Sequence, residues 1–280
     1  MVAAPLFFIA GKEAEPEAFE IYDKNGKEVE WTDVIKHCQK NEVVLFGELH
    51  NNTIAHWLQF EMCKSLYATN NNLTLGAEMF ESDQQIIMNE YLNGFITEKN
   101  FEAEMRLWPN YKTDYKPLFN FALQNKLNFI ATNVPRRYAS VVSKKGKDEL
   151  LKIDEKGKSY LCPLPLEADT NLKSYREMMA MNMGHGTNLN LVYAQALKDA
   201  TMAYFITKNL KKDGVFLHFE GAYHSDIYEG INIYLKKYKT DIKISTISTV
   251  SQKDVEKLEE EYKGKADFII VVDEDMTNTH

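Results

Sequence analysis

The stretch VVLFGELH, residues 43–50, decides the fold of this chain. Four apolar residues are followed at once by Gly47 and Glu48, and His50 comes two positions later. Short apolar runs that are bounded by turn residues and separated by helical stretches are typical of buried parallel strands. A carboxylate and an imidazole directly after such a run therefore predict a strand that leads into a functional loop.

Three further apolar runs along the chain also end in polar residues. They are residues 73–77 before Glu78, residues 129–131 before Asn133, Pro135 and Arg136, and residues 215–217 before Gly221 and His224. In an open parallel sheet, ligands bind just beyond the carboxyl ends of the strands. We therefore expect one shared rim site that contains Glu48, His50, Glu78, Arg136 and His224.

The remaining pattern predicts a single α/β domain over residues 18–280, preceded by a tail over residues 1–17. Two helical regions, at about 82–125 and 170–210, exceed plain crossovers and predict a helical cap. Later strands are expected near 242–247 and 268–272. Residues 18–31 predict a hairpin, because their Asn25-Gly26 pair favours a type I′ turn.

The N-terminal segment VAAPLFFIA, residues 2–10, has two readings. Its apolar character is that of the central part of an export signal, but the basic residues that precede such a part are missing. A remnant of a signal and a simple N-terminal strand both stay open. Cys38, Cys63 and Cys162 show no paired spacing, so they are expected to be buried free thiols.

Composition and missing motifs exclude several classes of protein. A net charge of −8 argues against a nucleic-acid binder, which needs a basic surface. No apolar stretch approaches the roughly 18 residues of a membrane-spanning helix. The sequence also lacks a Gly-x-Ser-x-Gly elbow, a phosphate-binding loop and a dinucleotide fingerprint, which disfavours serine hydrolases, kinases and dehydrogenases.

The chemistry of the predicted rim leaves three alternatives open. His50, Glu78 and His224 are suitable ligands for a divalent metal ion that assists hydrolysis. Histidine and glutamate can also activate water without a metal, with arginine stabilising an oxyanion. Thirdly, Arg136 or Arg137 can pair with the carboxylates of an anionic, planar ligand. Glu48 can equally be a plain helix cap, and His218 is expected to be a hydrogen-bonded core residue.

An ordered set of motifs resembles the ChaN-like haem-binding family, whose superfamily includes the Tiki and TraB proteins and the erythromycin esterases. The set covers roughly residues 42–235. It comprises Gly47-Glu48-Leu49-His50-Asn51-Asn52 with His56 and Gln59, Glu78-Met79-Phe80 with Gln84 and Gln85, Trp108-Pro109, Tyr115-Lys116-Pro117-Leu118, Asn133-Val134-Pro135-Arg136, Ala194-Gln195 through Asp199 to Ala203, and Gly221-Ala222-Tyr223-His224. Relatives often have a small or polar residue where this chain has Tyr223.

The resemblance implies a three-layer α/β/α fold with a mainly parallel central sheet and helical insertions. It further implies haem held at a homodimer interface by a tyrosine. The candidate tyrosines are Tyr115, Tyr138, Tyr175 and Tyr223, and we expect the iron ligand to lie outside the pocket of His50 and His224. Tyrosinate suits ferric iron when a nearby donor or cation favours the ionised form.

Two functions follow from the resemblance and the rim together. The first is haem binding in iron or haem uptake at the bacterial cell envelope or periplasm, with an envelope haem receptor as a partner; a cytoplasmic location stays open. The second is hydrolysis of a peptide or ester at the rim, either metal-dependent or of a histidine–glutamate type. An apolar wall for haem is expected from residues 108–121 and from the methionines Met178, Met179, Met181 and Met183.

Overall fold

Within residues 17–181 and 189–279, which a computed structural model describes, seven strands form a single sheet. The strands are β1 (Phe19–Asp23), β2 (Val43–Glu48), β3 (Leu73–Glu81), β4 (Asn128–Asn133), β5 (Val215–Gly221), β6 (Ile244–Gln252) and β7 (Phe268–Asp273). Their order across the sheet is β1-β7-β6-β2-β5-β3-β4. Only β1 runs antiparallel to its neighbour, so the prediction of a mainly parallel sheet is confirmed.

Ten α-helices in the described residues cover the two faces of the sheet. They are α1 (Trp31–Cys38), α2 (Thr53–Thr69), α3 (Gln85–Leu92), α4 (Glu98–Glu104), α5 (Lys116–Asn125), α6 (Arg136–Lys145), α7 (Glu155–Lys158), α8 (Lys173–Met181), α9 (Leu189–Lys208) and α10 (Ile231–Tyr238). Apolar residues of α1 to α5 pack in one core, and those of α6, α8, α9 and α10 pack in or against a second. The three-layer α/β/α arrangement is therefore confirmed.

The central strands are buried on both faces. Val44 and Phe46 of β2 belong to the first core, whereas Val43 and Leu45 belong to the second. Side chains of a strand alternate between faces, so a sheet covered by helices on both sides needs a continuous apolar run. This requirement explains why the run at 43–46 has no polar residue.

The two segments predicted to form a cap lie on opposite faces of the sheet. The segment 82–125 packs with α1 and α2 in the first core and includes a π-helical turn at Tyr111–Tyr115. The segment 170–210 supplies α8 and α9 to the second layer. Each segment sends a few side chains to the carboxyl end of the sheet, among them Trp108 and Gln195.

Local interactions fix the start of α2 but do not form the whole of the predicted hairpin. The Asn52 side chain accepts a hydrogen bond from the Ala55 N–H and so caps α2. The hairpin predicted over 18–31 is wrong in its second strand, which is reduced to the bridge between Tyr22 and Glu28. Strand β1 instead pairs over its full length with the apolar strand β7. The three cysteines are buried and free, as expected.

Some predictions concern residues outside the described part of the chain. These are residues 1–16 of the tail or signal remnant, the segment Gly184-His185-Gly186-Thr187, Met183 and His280; the side chain of Met181 is likewise not described. Among the described residues, no helix is both long and apolar enough to cross a membrane.

Candidate functional site

A pocket of about 820 Å³ lies at the carboxyl ends of the parallel strands. Its wall includes all five residues that the sequence predicts for the rim, namely Glu48, His50, Glu78, Arg136 and His224. Glu48 is the last residue of β2, and His224 follows β5, the strand next to it in the sheet. The structure thus brings together residues that are far apart in sequence.

Glu48 is a buried carboxylate with three donors. The Tyr115 hydroxyl donates to its Oε1 at 2.7 Å and the Gln59 amide donates to its Oε2 at 2.6 Å. The Nδ1 of His50 lies 2.9 Å from Oε1. A buried carboxylate needs such partners, and its contact with Nδ1 fixes the orientation of the His50 ring.

His50 presents its second ring nitrogen at the pocket. Its side chain is 43% exposed, and its Nε2 has no hydrogen-bond partner among the described residues. Burial alone would lower the pKa of His50, but the hydrogen bond and charge of Glu48 outweigh it, so the pKa lies above the ordinary value. The ring stands edge-on to Trp108, with the ring centres 5.0 Å apart.

Gly221 makes room for the His50 ring. A methyl group at this position would lie 2.8 Å from both Cε1 and Nε2 of His50. Real side chains do not approach so closely, and the ring would have to move. The glycine that ends β5 therefore sets the position of the imidazole that β2 supplies.

His224 is a buried imidazolium between two carboxylates. Its Nε2 lies 3.1 Å from Glu78 Oε1, and its Nδ1 makes a short hydrogen bond to Asp199. Burial would lower the pKa of His224, but the charges of Glu78 and Asp199 raise it to about 10. With its pKa raised this far, the ring is expected to be charged at neutral pH, with a proton on each nitrogen.

Glu78 is the counterpart of this cation. Burial would raise the pKa of its carboxyl, but the His224 charge and the Gly221 N–H, which donates to Oε2 at 3.0 Å, hold the pKa far below its usual range. Asp199 also accepts a hydrogen bond from the Tyr175 hydroxyl at 2.8 Å. Tyr175, Asp199, His224 and Glu78 thus form one continuous buried chain of hydrogen bonds.

The predicted metal site of His50, Glu78 and His224 does not fit this geometry. A histidine ligand needs a ring nitrogen that is free and deprotonated. Both nitrogens of His224 are already bound to carboxylates. Across the described ranges, no group of three or more histidine, cysteine or acidic side chains is arranged to hold a metal ion.

The two adjacent arginines point in different directions. Arg136, the first residue of α6, is exposed and lines the pocket. It has no ion pair with any described residue, so its charge is available to an anionic ligand. The Nη1 atom of Arg137 instead lies 2.5 Å from Oδ2 of Asp83, and its guanidinium group stacks on the Tyr138 ring.

The four tyrosines considered as haem ligands differ in access. Tyr115 and Tyr175 are buried and donate to carboxylates, and burial together with those charges raises their pKa values. Both are therefore poorly suited to bind iron as tyrosinate. Tyr138 is partly buried and does not line the pocket. Tyr223 is 38% exposed and does line it.

Sequence reasoning gave no role to several residues of the site. In the sequence, Asp199 appears only as part of a helix motif. A carboxylate among the apolar residues of a long helix nevertheless indicates that it pairs with another buried side chain. Lys198 precedes it and reaches the pocket. Tyr262 and Lys265, before β7, also line the pocket and lie beyond the motifs that carry the family resemblance.

Comparison of the sequence with protein families gives one match. Residues 34–235 match the family described as haem-binding uptake, Tiki superfamily, ChaN. This region contains all five predicted rim residues. No curated protein matches the chain.

Comparison with solved structures shows the same fold in several proteins. One of them, described as showing cofacial haem binding to ChaN of Campylobacter jejuni, has a TM-score of 0.67 at 18% identity and covers 91% of this chain and 97% of that one. A Bacillus cereus protein has a TM-score of 0.50 at 11% identity, with 91% and 95% covered. An erythromycin esterase mutant in its open conformation has a TM-score of 0.50 at 9% identity, with 79% and 72% covered.

Proposed function

Because the chain belongs to the ChaN family of haem-binding uptake proteins in the Tiki superfamily, we propose that it binds haem in haem or iron uptake at the bacterial cell envelope. The observation that carries this proposal is the family match, which covers all five predicted rim residues of the pocket, from Glu48 to His224. A homodimer and an envelope haem receptor are part of the same proposal.

Tyr223 is the side chain that we propose as the ligand of ferric haem iron. It lies on the wall of the pocket of His50 and His224, so this proposal replaces the expectation of a ligand outside that pocket. Its exposure at the pocket wall supports this role, and its hydroxyl lies beside α8, where it donates to the Ser174 carbonyl. Met178 of the same helix offers a soft apolar surface suited to a porphyrin. Burial and the nearby Asp199 raise the pKa of Tyr223 to about 12, so binding must release its proton.

We expect Tyr223→Phe to weaken binding of ferric haem by at least about tenfold, since it removes the charged oxygen that would hold the iron. The wild-type affinity is expected to rise by about tenfold per pH unit between pH 6.5 and 8.5, because one proton leaves on binding. Titration of haem into the protein, followed by its Soret absorption, measures both effects.

Tyr138→Phe is the matched control, since this tyrosine is also partly accessible but does not line the pocket. Its haem affinity is expected to equal that of the wild type. A loss with Tyr138→Phe and not with Tyr223→Phe would move the ligand outside the pocket. Loss of the Soret shift with His50→Ala would instead make that histidine the iron ligand.

A second candidate function is metal-free hydrolysis of an ester or peptide. The observation that favours it is the pairing of His50 Nδ1 with Glu48, which leaves Nε2 without a partner at the pocket. A neutral imidazole held in this way can take a proton from water. Because the pKa of His50 is raised, the rate is expected to increase as the pH rises above about 6.5.

His50→Ala is expected to lower the hydrolysis of a p-nitrophenyl ester by about 10²- to 10⁴-fold if this second function operates. His37→Ala is a suitable control, because His37 lies exposed on α1, away from the pocket. Assays with and without a chelator separate the metal-free reaction from a metal-dependent one. Equal rates for the two variants would remove His50 from the chemistry.

A further inference from the structure

The acidic side chains that line the pocket have their partners within the protein. Glu48 and Glu78 are satisfied by the donors described above. Glu81 accepts a hydrogen bond from Arg106 at 2.9 Å. Asp226 accepts from Ser248 at 2.6 Å and from Lys265 at 3.1 Å. The negative charges of the pocket are therefore already balanced.

Two positively charged side chains on the pocket wall have no such partner among the described residues. Arg136 and Lys198 both line the pocket, and neither has an ion pair or hydrogen bond with a described residue. Lys265 on the same wall is paired with Asp226, and the neighbouring Arg106 and Arg137 are paired with Asp83. The charge that faces the pocket without a partner is therefore positive, although the chain as a whole is acidic.

Arg136 and Lys198 come from two helices that pack together. Arg136 begins α6, and Lys198 lies one turn beyond Gln195 on α9. Lys198 lines the same pocket as Glu78, and its charge helps to lower the pKa of that carboxyl. It is only partly exposed, so an anion bound there is screened less by water and salt than at an open surface.

We infer that the pocket binds a small ligand through a carboxylate or phosphate group, which Arg136 and Lys198 hold beside the free Nε2 of His50. This anion site would be a second use of the pocket, beyond the haem ligand Tyr223 that we propose on the same wall. The arginine fork matches the paired oxygens of either group, and the lysine adds a point charge. Because neither cation must first leave an internal carboxylate, binding breaks no existing ion pair.

Inorganic phosphate and citrate are the probes for this inference. In the wild type, each is expected to raise the melting temperature above that measured in sodium chloride of equal ionic strength. The double variant Arg136→Gln/Lys198→Gln is expected to raise the dissociation constant for both anions by about tenfold or more, since it removes the charge-assisted bonds. Lys144→Gln, an exposed lysine at the other end of α6, is the matched control.

A second readout reports from the site itself. An anion beside Nε2 favours the charged imidazole, so phosphate is expected to raise the pKa of His50 in an NMR titration. The shift should be absent in the double variant and present in Lys144→Gln. Arg136→Lys/Lys198→Arg, which keeps both charges, should retain most of it and so separates lost binding from altered folding.

Two results would overturn the inference. One is an equal effect of phosphate and citrate on the wild type and the double variant, or none beyond that of chloride. The other is that the double variant loses affinity for haem while neither anion binds the wild type, which would assign the two cations to haem. If the anions bind as expected and haem does not bind at all, the proposed haem function fails while this inference stands.

Discussion

Replacing His224 by alanine is expected to lower the free energy of unfolding by about 3–5 kcal/mol at pH 7. The ring is the cation between Glu78 and Asp199, all three groups are buried, and its loss leaves two carboxylates without their shared positive charge. Burying an unpaired charge is among the most destabilising single changes. Urea unfolding followed by circular dichroism measures the difference.

His50→Ala is the natural control for this prediction. His50 also pairs with a carboxylate, but it is partly exposed, and Glu48 keeps Tyr115 and Gln59 as donors without it. We expect its loss to cost about 1 kcal/mol or less. The destabilisation caused by His224→Ala should also be smaller in a Glu78→Gln background, because that change removes one of the two carboxylates left unpaired. Similar losses for His50→Ala and His224→Ala would contradict the imidazolium assignment.

The second large effect is a fall in stability with rising pH. The pKa of His224 is about 10 in the folded protein and 6.5 as a free group. A group whose pKa is raised by folding contributes its full stabilisation below pH 6.5 and loses it as the pH rises towards 10. The slope in this window is expected to be about −1.4 kcal/mol per pH unit.

At acid pH, the free energy of unfolding is expected to change with pH in the opposite direction. The pKa of Glu78 is lowered by folding, so its contribution is present above its ordinary value of 4.5 and lost as the pH falls below that value. Stability should therefore be greatest between about pH 5 and 6.5. The free energy of unfolding at pH 6, 7, 8 and 9, measured in a His50→Ala background, isolates His224 because His50 has a raised pKa of its own. An equal slope after His224→Gln would contradict the prediction.

The central sheet could be predicted from the sequence because the apolar runs that indicate strands are also the segments that are buried in the structure. The runs at 43–46, 73–77, 129–131 and 215–217 all became strands of the parallel core. Once those strands are parallel, the residues after them must lie at one edge of the sheet. The meeting of Glu48, His50, Glu78 and His224 at one pocket follows from that geometry and needs no knowledge of the loops.

The sequence could not predict which polar side chains of different layers pair with each other. Asp199 lies in α9, 25 residues before His224, and only the packing of that helix on the sheet brings their atoms together. Asp199 occupies Nδ1 of His224 and Glu78 occupies Nε2, which explains why the predicted metal site does not fit. Tyr115 and Tyr175 were likewise candidates for haem ligands because the carboxylates to which they donate cannot be identified from the sequence.

The most direct test of the account is the NMR spectrum of the His224 ring nitrogens at pH 8. Each ring nitrogen lies beside a carboxylate and the pKa of the ring is raised to about 10, so both nitrogens are expected to carry a proton at pH 8. Two imidazolium signals that persist from pH 6 to 9 in the wild type are therefore expected. A neutral ring at pH 8, with one protonated and one bare nitrogen, would contradict the central claim that a fixed imidazolium organises this site.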